Sequence, residues 1–444
     1  MQIIENLKIK EKLYIEKLEN GLTVMIIPKA NTKKKYIMWG VNFGSIDNHF
    51  INSKTKEEII IPDGVAHFLE HKMFEQKNGV NSLDALSSIG VDANAYTTND
   101  YTTYLYECND NFYEALDEFM DYVQNPYYTD ENVEKEKGII AQEIKMYDDH
   151  PFWQVYINAM KCLYKENPVR IDIAGDVDSI QEITKDTLYS CYNTFYTPSN
   201  MLMVVSGDFV PEELLKEIKK RIIKEDNNLE VQRIYPQEPE EINEKQKTVE
   251  MDVNNPLFVI AYKDKVLENK EEMIRKHIAI EILLYILIGK SSKLYQELYD
   301  NRLVTSEPDL DYEFSKEYAH ITISGQSNNP EELQKKFKAE VEKLKQNGIN
   351  DKIFDRVKKK IYGNYVMEYN DVSEISRMFM SDYFKGINSF DYIENYSTVT
   401  KEYSEEILKE VFNEEKQVLS IVKGKNTWFL SKNVLLYICI LFNI

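Results

Sequence analysis

The sequence is short of cysteine and histidine. It has four cysteines (Cys108, Cys162, Cys191 and Cys439) and six histidines in 444 residues. The cysteines are scattered and form no Cys-x-x-Cys pair, which excludes a cysteine-based metal site and indicates a reducing compartment. The first 21 residues interleave acids and bases with apolar residues, so they predict neither a signal peptide nor a transit peptide. We therefore predict a cytoplasmic protein.

Positive charge is also scarce. The chain has 54 Lys and Arg residues against 75 Asp and Glu residues, a formal net charge of −21. Acids are interleaved with the bases along most of the chain, and a nucleic-acid-binding protein needs a basic face. The composition therefore predicts no nucleic-acid partner, whereas an acidic cleft for basic peptides stays open.

Apolar runs long enough to cross a bilayer are missing. The run "VLLYICILF", Val434 to Phe442, is much shorter than the roughly 20 residues that a membrane-spanning helix needs. We predict no membrane span. The tail 426–444 is consistent with packing on the body, with disorder, or with contact to a partner or a membrane surface.

The order of predicted elements indicates two similar halves. The first predicted elements are a hairpin with an Asn-Gly turn at Asn20, a strand near Trp39, and a helix with the Asp63 carboxylate as N-cap. Strands over about 91–108 and two helices between Asn111 and Asp148 follow. Both halves end as helix, short turn, apolar strand and glycine, in "LYSCYNTFYTPSNMLMVVSGD" and "ILKEVFNEEKQVLSIVKGK". This similarity predicts a structural repeat.

The boundaries of the two halves follow from composition. The stretch "KEDNNLEVQRIYPQEPEEINEKQK" is acidic, polar and interrupted by proline, which predicts a linker between the two halves. We therefore predict a first domain over 1–225, a linker over 226–248, a second domain over 249–425 and a tail over 426–444.

Two of the six histidines lie four residues apart in "DGVAHFLEHKMFEQ", Asp63 to Gln76. Residues three and four apart share one face of an α-helix, so His67 and His71 can bind one cation with Glu70 beside them. Catalytic zinc usually takes three protein ligands and leaves a fourth position for water. Glu70 is suited to take a proton from that water and to return it later to a leaving amine.

The third ligand is not decided by the pattern. In "VEKEKGIIAQEIKMYDD", Glu136 and Glu143 are seven residues apart and fall on almost the same side of a helix. One carboxylate of such a stripe can bind zinc while the other holds a histidine N–H. A solvated charged face accounts for the same pattern more simply, and His150 in "DDHPFW" is another candidate ligand.

The pentapeptide "HFLEH" resembles the inverted zinc motif, His-x-x-Glu-His, of the pitrilysin/insulinase metallopeptidases, the inverzincins. The stretches around it that follow the order and spacing of that family are "GVAHFLEHKMF", "NSLDALSSIGVDANAYTTNDYTTYLY", "EKEKGIIAQEIKMYDDHP" and "FYTPSNMLMVVSGD". The likeness is strong from about Leu18 to Asp208 and weaker to about Gly424. It is closest to bacterial paired-subunit proteins, some of them named for modification of elongation factor P.

This resemblance implies a fold and a metal centre. The implied fold is α+β, with two homologous domains, each a mostly antiparallel sheet packed by helices, around a central cavity (metallopeptidase/LuxS-like). The implied cofactor is one zinc ion per chain, bound by His67, His71 and Glu143, with Glu70 as the catalytic base. Glu136 matches an acidic residue that usually supports the ligands rather than binding the metal.

The resemblance also implies a peptide-binding edge. Asn94 and Ala95 match the start of an edge strand beside the zinc, and a peptide pairs with such an edge through its backbone. An ordinary sheet strand with a turn at Asn99 accounts for the same residues.

One feature of the family is missing. Active members, or their partner subunits, carry an arginine and a tyrosine seven residues apart in the second half, which hold the substrate. Aligned on Leu303, this sequence has leucine and threonine at those positions, and Arg302 is out of register. We therefore predict that a homologous subunit without the zinc motif supplies the missing groups in a heterodimer, with a homodimer as the alternative.

The predicted function is that of a zinc endopeptidase subunit that hydrolyses short or unfolded peptides. One alternative is a non-proteolytic accessory or assembly subunit, for example in elongation factor P modification, that retains the zinc site. A metal-dependent hydrolase of a small molecule also fits the zinc residues, but it leaves the edge strand and the doubled architecture without a use.

Overall fold

A computed structural model describes residues 1–52, 55–223 and 231–425 of the chain. The predicted tail over 426–444 lies outside the described residues, as does the start of the predicted linker. Within the described residues, two large sheets of seven and five strands are packed by helices, and a small three-stranded sheet is added to the first half.

Both halves contain strands and helices, in runs of one to several elements of the same kind. The strands of the described residues are β1 (Gln2–Asn6), β2 (Glu11–Lys17), β3 (Thr23–Pro28), β4 (Lys35–Val41), β5 (His49–Ile51), β6 (Glu58–Ile60), β7 (Asp92–Thr97), β8 (Thr102–Cys108), β9 (Met201–Gly207), β10 (Gln232–Arg233), β11 (Gln246–Met251), β12 (Leu257–Lys263), β13 (Asp309–Phe314), β14 (Ala319–Gln326) and β15 (Gln417–Gly424). The α-helices are α1 (Val65–Lys72), α2 (Ser82–Ser88), α3 (Phe112–Gln124), α4 (Asp130–Asp148), α5 (Pro151–Leu163), α6 (Val177–Gln181), α7 (Lys185–Phe195), α8 (Pro211–Arg221), α9 (Lys270–Leu287), α10 (Lys293–Asp300), α11 (Pro330–Asn347), α12 (Asp351–Glu368), α13 (Val372–Lys385), α14 (Phe390–Asn395) and α15 (Lys401–Val411). None of the helices in the described part of the chain has the length and apolarity to cross a bilayer.

The two large sheets repeat one topology. The first has the order β1-β2-β3-β9-β4-β8-β7 and the second the order β11-β15-β12-β14-β13. Leaving aside β1 and β2, the strands that come first and last along each half are parallel neighbours: β3 pairs with β9, and β11 pairs with β15. The other neighbouring strands of both sheets are antiparallel. This shared order confirms the predicted α+β fold of two homologous halves, each with a mostly antiparallel sheet.

Both faces of the first sheet are buried. Successive side chains of a strand point to opposite faces, so Ile37, Trp39 and Val41 of β4 enter the core formed with α1, α3 and α7. Tyr36 and Met38 enter a second core on the opposite face. A sheet with two apolar faces needs cover on both sides.

Each half supplies one helix to the sheet of the other half. Helix α13 packs on β4 and β9 of the first sheet, and α5 packs on β12 and β15 of the second. Gly40 of β4 makes room for α13, because a Cβ atom at that position would overlap the side chain of Met380. The halves therefore share two of their four hydrophobic cores.

Residues 232–235 of the predicted linker pack against the first half. Strand β10 pairs with β5. Arg233 Nε lies 2.8 Å from Asp47 Oδ1, and the Tyr235 hydroxyl donates to the same oxygen at 2.6 Å. Asp47 is only 2% exposed, so these donors compensate the cost of burying its carboxylate. Strand β11 begins at Gln246, and the domain boundaries stay a prediction.

The prediction that Asp63 caps α1 is wrong. The N-cap residue is Gly64, which has a φ of 91°, and Asp63 Oδ1 instead accepts a hydrogen bond from Asn48 at 3.0 Å. A Cβ atom at Gly64 would overlap the carbonyl oxygen of Ala174. The chain therefore needs glycine here both for the left-handed conformation and for the close backbone contact.

Replacing this glycine tests its role in placing α1. We expect Gly64→Ala to lower the free energy of unfolding by about 3 kcal/mol or more, because a left-handed alanine costs about 1–2 kcal/mol and the overlap adds to it. Gly79→Ala is the matched control, since Gly79 has a φ of 80° but open space around its Cβ position. Urea denaturation of both variants measures the difference. Equal losses would show that the contact with Ala174 has no effect on stability.

Candidate metal centre and active site

Helix α1 turns both of its histidines toward one cleft. His67 and His71 are one helical turn apart, and their ring centroids are separated by 4.6 Å. On the other side of the helix, Phe68 and Leu69 are fully buried in the first core, which fixes the rotation of the helix. The helix packs against α4 and β7, and the cleft between these elements receives both imidazoles.

Helix α4 supplies the carboxylates of the same cleft. It begins at Thr129, whose side chain forms a capping box with Asn132. Ile140 and Ile144 anchor the helix in the first core. Glu143 therefore lies between two anchoring residues, with its carboxylate on the α1 side of the helix.

Three predicted ligands converge on one point. His67 Nε2 is 3.6 Å from Glu143 Oε1, and His71 Nε2 is 3.4 Å from Glu143 Oε2. Within the described ranges, these three residues are the one group of His, Cys, Asp and Glu side chains whose ligand atoms all lie within 4.8 Å of one another. A tetrahedral zinc site with bonds near 2.0–2.1 Å has ligand atoms about 3.3 Å apart. The donor set and its spacing therefore fit zinc.

Glu136 supports this group without joining it. Its Oε1 lies 3.2 Å from His71 Nδ1, so the other ring nitrogen of His71 is left for a metal. Its Oε2 lies 3.3 Å from the ammonium of Lys72, which is only 1% exposed. The hydrogen bond from His71 and the charge of Lys72 outweigh the effect of burial and lower the pKa of Glu136. The carboxylate is thus held charged against the ring.

Glu70 lies between the histidines and the sheet. Its Oε2 accepts a hydrogen bond from the Thr97 hydroxyl at 2.6 Å, and the residue is 7% exposed. Burial raises the pKa of Glu70, although the charge of His67 and the bond from Thr97 act in the opposite direction. A carboxyl whose pKa lies above its ordinary value is a better proton acceptor than a free one.

The charges around the cleft favour a cation. A hydrogen bond with His67 lowers the pKa of Glu143. Burial lowers the pKa of His71, but the bond to Glu136 and the charges of Glu70 and Glu143 outweigh it, so the pKa of His71 is raised. The carboxylates of Glu70, Glu136 and Glu143 around these imidazoles therefore favour a cation at this point, and a divalent metal ion supplies such a charge.

The predicted peptide-binding residues lie on the outermost strand. Strand β7 ends the first sheet, and in the described part of the chain it pairs on one side only, with β8. Asn94 and Ala95 line the same cleft as His67, His71 and Glu143. The backbone N–H of Ala95 donates to the side-chain oxygen of Asn94 at 2.9 Å, so Asn94 covers a donor that a bound strand needs.

The other sequence candidates lie elsewhere. His150 is the exposed N-cap of α5, and its Nδ1 accepts a hydrogen bond from the backbone of Trp153 at 3.3 Å. His277, the lone histidine of α9, bonds to the Tyr392 hydroxyl at 2.8 Å, and burial lowers its pKa to about 3. Arg302 is exposed in the turn that follows α10.

Two groups of residues that line the cleft were not predicted from the sequence. Thr97 lies two residues after Ala95, and the period of a strand gives it the same face, so this signal was available. Trp153 and Ile173 come from α5 and a later loop and complete a cleft of about 350 Å³. No local pattern marks them, because their position depends on how α5 packs across the second sheet.

Comparison with known proteins identifies the family. Residues 60–176 match the family model described as insulinase, peptidase family M16, and residues 182–361 match the model described as the peptidase M16 inactive domain. An uncharacterized zinc protease, YmfH, from Bacillus subtilis (strain 168) is 36% identical over 410 residues, which cover 92% of this chain and 95% of YmfH. The chain belongs to the insulinase family, M16.

Solved structures agree with the fold of this M16 protein. An M16-like peptidase from Alicyclobacillus acidocaldarius superposes with a TM-score of 0.90 at 32% identity, covering 95% of this chain and all of that one. The periplasmic protease PqqL from Escherichia coli has a TM-score of 0.74 at 18% identity and shows the same fold. The match covers 96% of this chain but 49% of PqqL.

Zinc content tests the assignment of ligands. We expect Glu143→Ala to lose bound zinc, because two imidazoles alone rarely hold the metal. Glu136→Gln should weaken zinc affinity by about 10- to 100-fold, because it removes only the support of His71. Glu134→Ala is the control, since Glu134 is exposed on the same helix and pairs with Lys137. Chelator competition and metal analysis measure all three, and full zinc in Glu143→Ala would exclude this residue as a ligand.

Proposed function

We propose that this M16 protein is the zinc-bearing subunit of an endopeptidase that hydrolyses short or unfolded peptides. The observation that carries the proposal is the convergence of His67, His71 and Glu143 beside Glu70, in a cleft bordered by the outer edge of β7, with which no other strand of the described residues pairs. Zinc proteases among the relatives support the same reaction class. The names of these relatives do not concern elongation factor P, and that association stays a prediction.

The chemistry is divided between the ligands and the base. When bound by His67, His71 and Glu143, zinc supplies Lewis acidity to a water molecule and to the peptide carbonyl. Glu70 takes the proton of that water and later returns it to the leaving amine. Because Thr97 holds Oε2 of Glu70, the other carboxylate oxygen is the one that carries the proton. Thr97 thereby positions the base.

The substrate binds as an added strand. An extended peptide on the outer edge of β7 gains backbone hydrogen bonds that do not depend on its sequence. The Asn94 side chain has to leave the Ala95 N–H for one of these bonds to form. A folded protein rarely offers an unpaired strand, which accounts for a preference for short or unfolded chains.

A homologous subunit completes the site. Attack on the carbonyl produces an oxyanion, which needs hydrogen-bond donors placed around it. This chain has leucine and threonine where the family has its arginine and tyrosine, and Arg302 is exposed away from that register. The length of PqqL, about twice that of this chain, supports an arrangement of two such units around one site. We propose a partner without the zinc motif.

The division of the chain follows the sheets. We propose that residues 1–225 carry the zinc and that residues 249–425 form the second repeat, joined by 226–248. Because α5 and α13 are exchanged between the sheets, we expect the two repeats to fold as one unit rather than separately.

Loss of the base tests the proposed reaction. We expect Glu70→Gln to bind zinc normally and to lower kcat for a fluorogenic peptide mixture by about 10²- to 10⁴-fold, because the amide takes no proton. Glu134→Gln, on the exposed side of α4, should keep wild-type activity. Turnover at the wild-type rate in zinc-loaded Glu70→Gln would refute the role of Glu70.

Mixing with a homologue tests the partner. We expect the purified chain to cleave peptides slowly and to gain at least about tenfold in kcat/KM with a co-expressed homologue that lacks His-x-x-Glu-His, because the donors for the oxyanion come from that chain. The same homologue with its arginine and tyrosine changed to alanine and phenylalanine is the control. Full activity of the chain alone, as a monomer or a homodimer, would contradict this prediction.

A further inference from the structure

One hydrogen-bond donor of the metal cleft, the cleft that receives both imidazoles of α1, is not used by the proposed reaction. The Thr97 hydroxyl donates to Glu70. Trp153 Nε1 donates to Asp172 Oδ2. Tyr147 lines the same cleft, and its hydroxyl has no hydrogen-bond partner among the described residues. A phenol with an unused O–H beside a reaction centre can bind negative charge that the reaction produces.

Helix α4 places Tyr147 next to a predicted metal ligand. Tyr147 follows Glu143 by four residues, so the two side chains share one face of the helix, with Cβ atoms roughly 5–6 Å apart. A long side chain of a helix leans toward the residue one turn before it, which directs the Tyr147 ring along the face that carries Glu143. The charges of Glu143 and Glu70 both act on the Tyr147 hydroxyl. The hydroxyl therefore lies near both the predicted ligand and the predicted base.

The ring of Tyr147 is supported from α5. Its centroid is 5.5 Å from the nearer ring centroid of Trp153, at an interplanar angle of 47°. The indole is held in turn by its hydrogen bond to Asp172. A donor that is positioned before the reaction stabilises new charge without the cost of reorienting during the reaction.

Tyr147 also lies on the side of the cleft that a peptide bound to β7 faces. Helix α1 packs against both β7 and α4, so these two elements border the cleft from its two sides. In an extended peptide paired with β7, successive carbonyls point alternately toward β7 and away from it. A carbonyl that points away is directed to the α4 side of the cleft, where Tyr147 lies.

The environment keeps the hydroxyl protonated. Burial raises the pKa of Tyr147, and the charges of Glu143, Asp172 and Glu70 act in the same direction. Because the ordinary pKa of a tyrosine is already about 10, the side chain is a hydrogen-bond donor and not a phenolate at neutral pH.

We propose that Tyr147 is a further catalytic residue, whose hydroxyl donates a hydrogen bond to the oxygen of the scissile peptide carbonyl as charge develops on it. The inference rests on the proposed peptidase function and assigns one oxyanion donor to this chain, in addition to those of the partner subunit. When the water oxygen attacks the carbonyl carbon, an electron pair of the C=O bond moves to its oxygen, and Glu70 takes the proton of the water. The C=O bond then re-forms, the C–N bond breaks with its electron pair going to nitrogen, and Glu70 returns the proton to that nitrogen. Tyr147 keeps its own proton throughout.

Kinetics of Tyr147→Phe test the donor, because the substitution removes only the hydroxyl. The zinc-loaded chain, with its partner subunit where activity requires it, is assayed with one fluorogenic peptide. We expect kcat to fall by about 10²- to 10³-fold with KM nearly unchanged, because the bond strengthens in the transition state. Bound zinc should equal that of the wild type. Tyr113→Phe is the control, since Tyr113 is an exposed tyrosine of α3 outside the metal cleft, and should keep the wild-type kcat. Wild-type kcat in zinc-loaded Tyr147→Phe would overturn this proposal while leaving the proposed reaction intact.

Binding of a transition-state mimic separates this proposal from the proposed reaction. A phosphinic peptide has a tetrahedral centre with an anionic oxygen in place of the scissile carbonyl. We expect zinc-loaded Tyr147→Phe to bind it about 10²- to 10³-fold more weakly than the zinc-loaded wild type. An intact peptide should bind equally to the Glu70→Gln chain with and without Tyr147→Phe, because its carbonyl oxygen carries no full charge.

The outcomes of this binding test differ for the two proposals. Weaker binding of the phosphinic peptide to Tyr147→Phe supports the donor even if the wild-type chain hydrolyses no peptide. Equal binding by the two chains overturns the donor alone. A zinc-loaded wild-type chain that does not bind the phosphinic peptide overturns the proposed reaction and the donor together.

Discussion

Each large sheet of this protein has two apolar faces, and the cover of one face comes from the other half of the chain. Helix α5 leaves the first half to pack on β12 and β15, and α13 crosses in the opposite direction to β4 and β9. This exchange joins the halves through two shared cores. It also sets the site, because α5 follows α4 after two residues, and α4 carries Glu136 and Glu143. Displacing α5 would therefore move the cleft that receives both imidazoles.

Around the metal cleft, each charged group is held by another. Lys72 is buried against Glu136, Glu136 against His71, and Glu143 against both imidazoles. Removing one member leaves a buried charge without its partner, which costs more than the pair contributes when intact. The site is thus preorganised by the same contacts that make its charges tolerable inside the protein. Glu70, held by Thr97 from the edge strand, connects this network to β7.

Local patterns predicted much of the fold. Short-range periodicity and turn residues predicted the hairpin of β2 and β3, the paired strands β7 and β8, the helices α3 and α4, and the repeat of the two halves. The N-cap of α1 was predicted wrongly. Asp63 has a side chain suited to an N-cap, but the backbone at Ala174 lies so close to position 64 that only glycine fits there. That contact joins residues 110 positions apart, which no local rule contains.

The sequence by itself determined the His-x-x-Glu-His helix, since a spacing of four residues places two imidazoles on one face wherever the helix lies. Family likeness, rather than periodicity, selected Glu143 over His150. Only the tertiary structure decided that Glu143 reaches both imidazoles, that Glu136 stops at His71, and that Trp153 and Ile173 border the cleft. The physical reason is that helix period and strand alternation act over a few residues. The meeting of α1, α4, α5 and β7 depends instead on how two sheets share the burial of their apolar faces.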